Sequence, residues 1–438
     1  MITDDNKKLA QWAMEYALKN GCQAAKLVLY TNSNSSFELR DGKMDRLQQS
    51  TENGLGLNLY VDGRFGSFSN RLDKKELETL ITNGIESTRY LAVDESRMLA
   101  DPARYYKGGK PDLQLFDKKL YEVNPDDKVA IARAAAEEVL GKDERIISVD
   151  SSYSDGEGSS YRLISNGFEG ESKSTWFSVS ASVSIKGEGE ARPQDYWYDS
   201  ALFYDKLTKT GIGAKALERV LRKLGQKKAK SGKYTMVVDP MNVGNLLSPM
   251  LSALYGSALQ QKNSFLMDKL DTKVASDLFT LRDEPHAIGA NGSRYFDNEG
   301  VATEPRTVFD KGVLKTYFID TYNGKKMDIA PTISAPSRLI LTPGDKDLNG
   351  LVADIKQGIL VTGFNGGNSN SSTGDFSYGI EGFLIEDGKL TQPVNEMNVT
   401  GNMVTLWNSL VAVGNDPQPN RSWQIPSLVF EGVDFSGL

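Results

Sequence analysis

The 438-residue chain contains one cysteine, Cys22, and one histidine, His286. A single thiol cannot form a disulfide within the chain, so we expect a protein of a reducing compartment, the cytoplasm. A single imidazole excludes every site in which one chain supplies two histidines to a metal, including His-Glu-x-x-His zinc proteases and two-histidine iron sites. Cysteine-rich zinc folds are excluded by the same count.

Long apolar runs and positive charge are also scarce. The N-terminus is charged and lacks the apolar segment of a signal peptide, and no apolar run approaches the roughly 20 residues that span a bilayer. The 51 Lys and Arg residues against 58 Asp and Glu residues give a net charge of −7. Since a duplex-DNA binder needs a basic footprint, we expect no direct contact with nucleic acid. The lack of a long apolar run leads us to expect no contact with a membrane either.

Helical and strand periodicities occur in blocks along the first half. Asp41-Gly42 and Asp62-Gly63 are typical of hairpin turns, because both residues of such turns take positive φ. The predicted elements are a helix over 9–17 capped by Asp4 or Asp5 and ended by Gly21, strands over 25–30 and 35–40, a helix capped by Asp73, an irregular stretch over 94–123, a helix opened by Asn124-Pro125, and a helix over 212–224.

The second half opens with a strand over 234–238, continues with helical segments that break or restart at Pro249, and is then rich in strands. Helices followed by meanders in both halves predict an α+β fold of two domains, each with helices on largely antiparallel sheets. We place the domains at 1–226 and 234–438. The polar, basic segment 227–233 between them is predicted to be a solvated linker, with an anionic docking patch as the alternative.

Three short motifs have simple structural explanations. Gly211-Ile212-Gly213 begins a G-x-G-x-x-A pattern, but the residues before it are polar and do not form the strand that a dinucleotide site requires, so a helix start is expected. His286 follows Pro285 and is predicted to be an exposed loop residue rather than part of a catalytic triad. Cys22 is predicted to be a buried structural thiol.

The most unusual stretch runs from Asn365 to Phe376 and consists almost entirely of glycine and small polar residues. Such a segment is either a mobile surface loop or a loop whose backbone N–H groups contact an anion or another chain. We take six of its residues as a candidate substrate-binding set. They are Asn368, Ser371, Ser372, Thr373, Gly374 and Asp375.

Several segments, in this order, resemble the TldD/PmbA family, also known as modulators of DNA gyrase. The similarity covers nearly the whole chain. The segments are Leu39-Arg40-Asp41-Gly42-Lys43, Gly54–Val61, Asn263-Ser264-Phe265-Leu266, Phe296–Val301, Thr373–Ser377, Gly382–Gly388 and Thr400-Gly401-Asn402.

The resemblance implies a cytoplasmic prokaryotic metalloprotease system in which TldD-type subunits bind zinc through His-Glu-x-x-x-His and a downstream Cys. The zinc lowers the pKa of a bound water, and the Glu handles its proton. In this sequence the two His positions are Ser252 and Ser257, the Glu position is Ala253, and the second half contains no Cys. The chain therefore resembles the TldE/PmbA branch, and we expect it to have no catalytic or metal-binding residues and to bind no cofactor itself.

By this resemblance the chain is a non-catalytic subunit that pairs with a zinc-bearing TldD-like subunit and helps to process unfolded or flexible peptides. Its strand-rich second half would form the wall facing the substrate, where an extended peptide could pair with a sheet edge. A homodimer is possible when the chain is alone. Two alternatives stay open: an independent homo-oligomeric peptidase, and a binding or adaptor protein that keeps the protease fold.

Overall fold

The computed structural model describes residues 2–71 and 74–438. The helices are α1 Asp4–Lys19, α2 Lys74–Thr88, α3 Pro125–Glu137, α4 Ile212–Leu221, α5 Gly244–Ser252, α6 Gly256–Gln260, α7 Thr321–Met327, α8 Leu348–Ala353 and α9 Met403–Asn408. The strands are β1 Ala24–Arg40, β2 Lys43–Val61, β3 Arg64–Asn70, β4 Ile146–Ile164, β5 Phe168–Ile185, β6 Gln194–Ala201, β7 Gly232–Val238, β8 Leu281–Asp283, β9 Arg306–Asp310, β10 Val313–Leu314, β11 Leu339–Leu341, β12 Gln357–Ser369, β13 Asp375–Glu386, β14 Lys389–Asn402, β15 Leu410–Val413, β16 Trp423–Gln424 and β17 Leu428–Ser436.

The first half contains one antiparallel sheet of six strands in the order β3-β2-β1-β4-β5-β6. The predicted break between strands 25–30 and 35–40 is wrong, because β1 runs without interruption through both. At its polar centre, Asn32 pairs with Glu52 of β2 on one side and with Gly158 of β4 on the other. A polar run stays in a strand when neighbours on both sides satisfy its backbone.

Four helices cover this sheet in two pairs. Helices α1 and α2 pack on the half that contains Leu27 and Leu57, whereas α3 and α4 pack on the half that contains Val179. The predicted cap of α1 at Asp4 or Asp5 is wrong, because the Thr3 hydroxyl accepts the Asn6 N–H at 3.2 Å and both acids lie in the first turn. The predicted cap Asp73 lies outside the described residues.

Two predicted helix starts and an irregular segment are confirmed. Asn124 caps α3, with Pro125 in its first turn. Gly211, with φ of 78°, precedes α4, and the Glu138 carboxylate accepts N–H bonds from Gly211 and Gly213 at 2.6 and 2.8 Å. Residues 94–123 contain no helix or strand beyond two single 3₁₀ turns.

The second half contains two further sheets. One has the order β10-β9-β8-β11-β16, and the other has the order β14-β13-β12-β7-β17-β15. An additional pairing of β14 with β17 closes the strands β14-β13-β12-β7-β17 into a ring. A core that includes the fully buried Trp407 and Phe430 packs between these strands and helices α5 and α9.

The predicted break at Pro249 is wrong, because this residue lies inside α5 and the helix ends three residues later. A proline removes only one helical hydrogen bond, which a buried apolar helix can tolerate. The break falls instead between Ser252 and Gly256, where Tyr255 forms a bridge with Phe318 and the Gly256 N–H donates to the Phe318 carbonyl at 2.8 Å.

The fold is a mixed α+β architecture with largely antiparallel sheets and a strand-rich second half, as predicted. The division into 1–226, 227–233 and 234–438 stays a prediction. Within the middle segment, Ala229 is buried, and the Lys227 N–H donates to the Pro393 carbonyl at 3.1 Å. Of the helices in the described residues, none has the length and apolarity needed to cross a bilayer.

Candidate functional site

The positions that resemble a zinc motif lie on two helices rather than one. Ser252 ends α5, and Ser257 lies in the first turn of α6; both side chains are exposed. Ala253 is only 1% exposed, so a carboxylate there would be buried in the core. Two hydroxyls and a methyl group do not supply the imidazole, thiolate or carboxylate ligands that zinc requires.

The rest of the described chain does not complete such a ligand set. Across residues 2–71 and 74–438, no three His, Cys, Asp or Glu side chains are grouped so that they could hold a metal ion. The residues at this position therefore do not fit the zinc that the resemblance implies for TldD-type subunits, and no chemical step can be assigned to them.

Three of the segments that resemble the TldD/PmbA family lie together immediately after α6. They are residues 263–266, 373–377 and 400–402. The hydroxyls of Ser371 and Ser372 both donate to the side-chain oxygen of Asn263, the first at 2.7 Å. The Phe265 N–H donates to the Ser371 carbonyl at 3.0 Å. These contacts hold the turn between β12 and β13 against the segment that follows the two short helices.

The third segment contributes Asn402 at the end of β14. Its side-chain N–H₂ donates to the Thr373 carbonyl at 2.8 Å and to Asp375 at 3.0 Å, and its oxygen accepts the Val404 N–H, which caps α9. The Thr373 hydroxyl also donates to Asp375 at 2.7 Å. The hydrogen bonds from Asn402 and Thr373 lower the pKa of Asp375, so this exposed carboxylate is ionised at neutral pH.

The six candidate substrate-binding residues therefore lie in one hairpin, but they are not alike. Asn368, Ser371, Ser372, Thr373 and Asp375 are exposed, whereas Gly374 is buried. Gly374 has φ of 81°, and a Cβ there would lie 3.1 Å from the Phe265 ring. Gly374 therefore allows the backbone conformation of the turn, and the five other residues form the exposed surface of the hairpin.

The glycine-rich composition has a structural cause. Residues 365–369 belong to β12, and the register with β13 shifts between Phe364 and Gly367, which is the pattern of a β-bulge. Gly366 and Gly367 have φ of 100° and 94°, and a Cβ on Gly367 would lie 2.0 Å from the Ser377 carbonyl oxygen. Only the turn at residues 370–374 lies outside the strands.

The segment Phe296–Val301 joins the two halves of the chain. Arg162 of β4 donates to the Asp297 carbonyl at 2.9 Å, and Lys26 of β1 donates to the Asn298 carbonyl. Burial, with the nearby Arg162 charge, lowers the pKa of Lys26 to about 8. Burial raises the pKa of Glu299, whose carboxylate accepts both the N–H and the hydroxyl of Thr321 at 2.9 Å.

A second connection between the halves contains only charged side chains. Lys223, just after α4, lies 2.7 Å from Glu381 of β13 and 3.2 Å from Asp195 of β6. Arg219 lies 3.2 Å from the same Asp195. No local sequence pattern indicates this cluster, because its members are separated by up to 186 residues.

The predictions for the single cysteine and the single histidine have different outcomes. Cys22 is 4% exposed and its thiol donates to the Ala24 carbonyl, so the predicted buried thiol is confirmed; burial raises its pKa. His286 is half-buried rather than exposed, with its ring 5.0 Å from the Tyr295 ring and its Nε2 3.0 Å from the Thr303 hydroxyl. Burial and the Lys110 charge lower the pKa of His286.

Comparison with known families accounts for most of the chain. Residues 25–88, 118–224 and 231–437 match, in order, domain 1, the central domain and the C-terminal domain of the PmbA/TldA metallopeptidases. A Haemophilus influenzae protein named metalloprotease PmbA homolog is 27% identical over 98% of this chain and 96% of its own length.

Two solved structures share the fold over almost the entire chain. A Bacteroides thetaiotaomicron protein, described as a candidate modulator of DNA gyrase, is 74% identical, covers 100% of both chains and has a TM-score of 0.98. TldE from Thermococcus kodakarensis has a TM-score of 0.84 at 19% identity, with 98% of this chain and 100% of that chain covered, and is similar in fold.

The architecture and the order of the matched domains are those of a metallopeptidase family. The chain belongs to the PmbA/TldD family.

Proposed function

We propose that this chain is the non-catalytic subunit of a TldD/TldE-type complex, in which a TldD-like partner carries the zinc and the catalytic residues. The observation that supports the proposal most strongly is the set of side chains at the motif positions. Ser252, Ala253 and Ser257 cannot bind zinc as the TldD-type motif does, and the whole chain has only one histidine. In this proposal the complex acts in the cytoplasm on unfolded or flexible peptides.

The hairpin turn at residues 370–374 is the part of the chain that we place along the peptide path. Its exposed hydroxyls and the Asp375 carboxylate can exchange hydrogen bonds with the backbone of an extended peptide, which requires no particular sequence. Asn263 and Asn402 hold the turn in one shape from two sides. A preorganised turn loses less conformational entropy when a peptide binds.

The experiment compares cleavage of an unfolded peptide by this chain, by a purified TldD-like chain from the same organism, and by their mixture. The proposal predicts cleavage only in the mixture, and loss of that cleavage on chelation. Cleavage by this chain alone would support an independent homo-oligomeric peptidase. Cleavage by the TldD-like chain that does not respond to this chain would support an adaptor role.

The hairpin is tested by a bulky substitution in the same mixture. Ser372→Trp places an indole on the exposed turn, and we expect at least a tenfold loss of peptide cleavage with unchanged assembly of the two chains. Thr391→Trp is the matched control, since Thr391 is exposed near the opposite end of the β13–β14 hairpin. If the mixtures containing the two variants cleave the peptide at equal rates, the turn does not lie along the peptide path.

In the homo-oligomeric alternative, one way to build a metal site is to bring His286 of two copies together at a two-fold axis. The Tyr295 ring and the Thr303 hydroxyl already occupy the surroundings of this imidazole. This packing weighs against a shared metal site and leaves the partner-subunit proposal as the one that the geometry supports best.

A further inference from the structure

A cavity of about 560 Å³ lies where the irregular segment 103–110 contacts residues 301–306. Tyr105 forms an antiparallel bridge with Val301, and the Tyr106 N–H donates to the Gly300 carbonyl at 3.1 Å, so the two segments are fixed to each other. The volume is typical of ligand sites. Tyr106, Val301 and Pro331 supply apolar lining.

The charged lining of this cavity is strongly unbalanced. Arg104, Lys107, Lys110 and Arg306 contribute four positive charges, against one negative charge from Glu304. Among the described residues, none of the four cations has an acidic partner within 4.0 Å, although the chain as a whole is acidic. Such a surplus in a partly enclosed space attracts anions.

The two arginines have donors without acceptors. The buried Nη1 of Arg104 and the buried Nε of Arg306 have no hydrogen-bond acceptor among the described residues. Arg104 is fixed in position because its Nη2 donates to the Thr332 carbonyl. Leaving a buried charged donor unsatisfied costs about 1–3 kcal/mol or more, so a side-chain conformation that turns these donors toward an acceptor in the cavity is favoured.

The buried carboxylates of Asp283 and Asp297 act on Arg306 through their charge, which opposes the lowering of its pKa by burial, but neither accepts a hydrogen bond from the buried Nε. Asp283 accepts N–H bonds from Ser337 and Arg338 at 2.9–3.1 Å. Asp297 accepts the N–H groups of Glu299, Val301 and Ser334 at 2.8–3.0 Å.

We propose that this cavity binds the C-terminal carboxylate of a peptide chain, with Arg104 and Arg306 as the anchoring cations and Lys107 and Lys110 at the rim. A guanidinium matches a carboxylate through parallel N–H···O bonds. The volume beside the cations accommodates the terminal side chain against Tyr106 and Pro331. The inference rests on the proposed function, since it names a feature of the peptides on which the complex would act.

The test measures binding to this chain alone, without a protease subunit. A BODIPY-labelled hexapeptide of uncharged residues is titrated by fluorescence anisotropy as the free acid and as the C-terminal amide, with inorganic phosphate as a competitor. We expect the free acid to bind at least tenfold more tightly than the amide. Equal affinity of the two peptides would overturn the proposal, as would phosphate that displaces both peptides equally.

Variants locate the site. Arg306→Gln should weaken binding of the free acid at least tenfold and leave the amide unchanged, whereas Arg46→Gln, on the exposed β1–β2 hairpin, should change neither. Glu304→Gln removes the one acidic side chain and should tighten binding two- to fivefold, a gain that misfolding cannot produce. If Glu304→Gln had no effect or weakened binding, the proposed site would be wrong.

The two proposals fail separately. If the mixture with a TldD-like chain cleaves peptides but this chain does not distinguish acid from amide, only the carboxylate site is wrong. If this chain distinguishes them but the mixture shows no cleavage, the site stands as a peptide-binding site and the partner-subunit proposal fails.

Discussion

Replacing Lys223 with methionine tests how the two halves of the chain are fixed to each other. The ammonium lies 2.7 Å from Glu381, 3.2 Å from Asp195 and 3.0 Å from the Gln194 carbonyl, and the lysine is 8% exposed. Lys223→Met keeps the aliphatic stem but leaves Glu381 without its cation. Removing one partner of a buried ion pair costs about 3–5 kcal/mol.

The expected cost is near the lower end of that range. Arg219 still lies 3.2 Å from Asp195 after the substitution, so only Glu381 loses its main counter-charge. Glu381 cannot swing away easily, because Gly363 packs against its side chain closely enough that a Cβ there would lie 2.7 Å from the carboxylate oxygen. We therefore expect the free energy of unfolding to fall by about 3 kcal/mol.

Urea unfolding followed by tryptophan fluorescence measures this change. The double variant Lys223→Met/Glu381→Gln should lose at least about 1 kcal/mol less than the sum of the single variants, because the unpaired carboxylate is gone. Lys215→Met is the control, since its pair with Glu218 is exposed and worth less than about 1 kcal/mol. A Lys223→Met cost no larger than that of the control, or strictly additive costs in the double variant, would show that Lys223 and Glu381 do not form a buried ion pair that stabilises the fold.

Three further predictions concern single residues. Native Cys22 should resist alkylation at pH 8 and react once per chain in denaturant; fast native labelling would contradict its burial. The difference in unfolding free energy between the wild type and Lys26→Met should rise by about 3 kcal/mol from pH 8 to pH 10.5, because Lys26 binds more protons in the unfolded state than in the folded state over that range. A difference that does not change with pH would exclude the lowered pKa of Lys26. By thermal or urea unfolding, Gly312→Ala should cost at least about 2 kcal/mol more than Gly432→Ala. Both positions have positive φ, but only a Cβ on residue 312 would meet a backbone oxygen, that of Ala275 at 2.0 Å. Equal costs of the two substitutions would be inconsistent with that clash.

Local sequence patterns predicted the hairpin turns and two of the helix starts correctly. Asp41-Gly42 and Asp62-Gly63 both form hairpin turns with φ between 51° and 75°, because few other residue pairs accept that geometry. Asn124-Pro125 opened α3 for a similar local reason. The failed prediction within β1 has the opposite cause, since its polar centre is held in a strand by two neighbours that are distant in sequence.

The candidate site was predictable only in part. The unusual composition near Ser371 and Ser372 marked the hairpin, but nothing local indicated that Asn263 would hold it or that Asn402 would reach it from the next strand. The cavity at Arg104 and Arg306 gave no signal in the sequence, because the two side chains are 202 residues apart and only a tertiary bridge brings them together. Contacts of this kind follow from tertiary pairing and not from periodicity.

A titration of the two chains measures whether this chain is a zinc-free subunit that cleavage requires. This chain is added in steps to a fixed amount of the TldD-like chain, and both peptide cleavage and protein-bound zinc are measured. For a non-catalytic partner subunit we expect cleavage to rise and saturate at a fixed ratio of the two chains, while bound zinc stays at the amount that the TldD-like chain carries alone. If bound zinc increased in proportion to this chain, or if cleavage did not depend on its concentration, the partner-subunit proposal would be wrong.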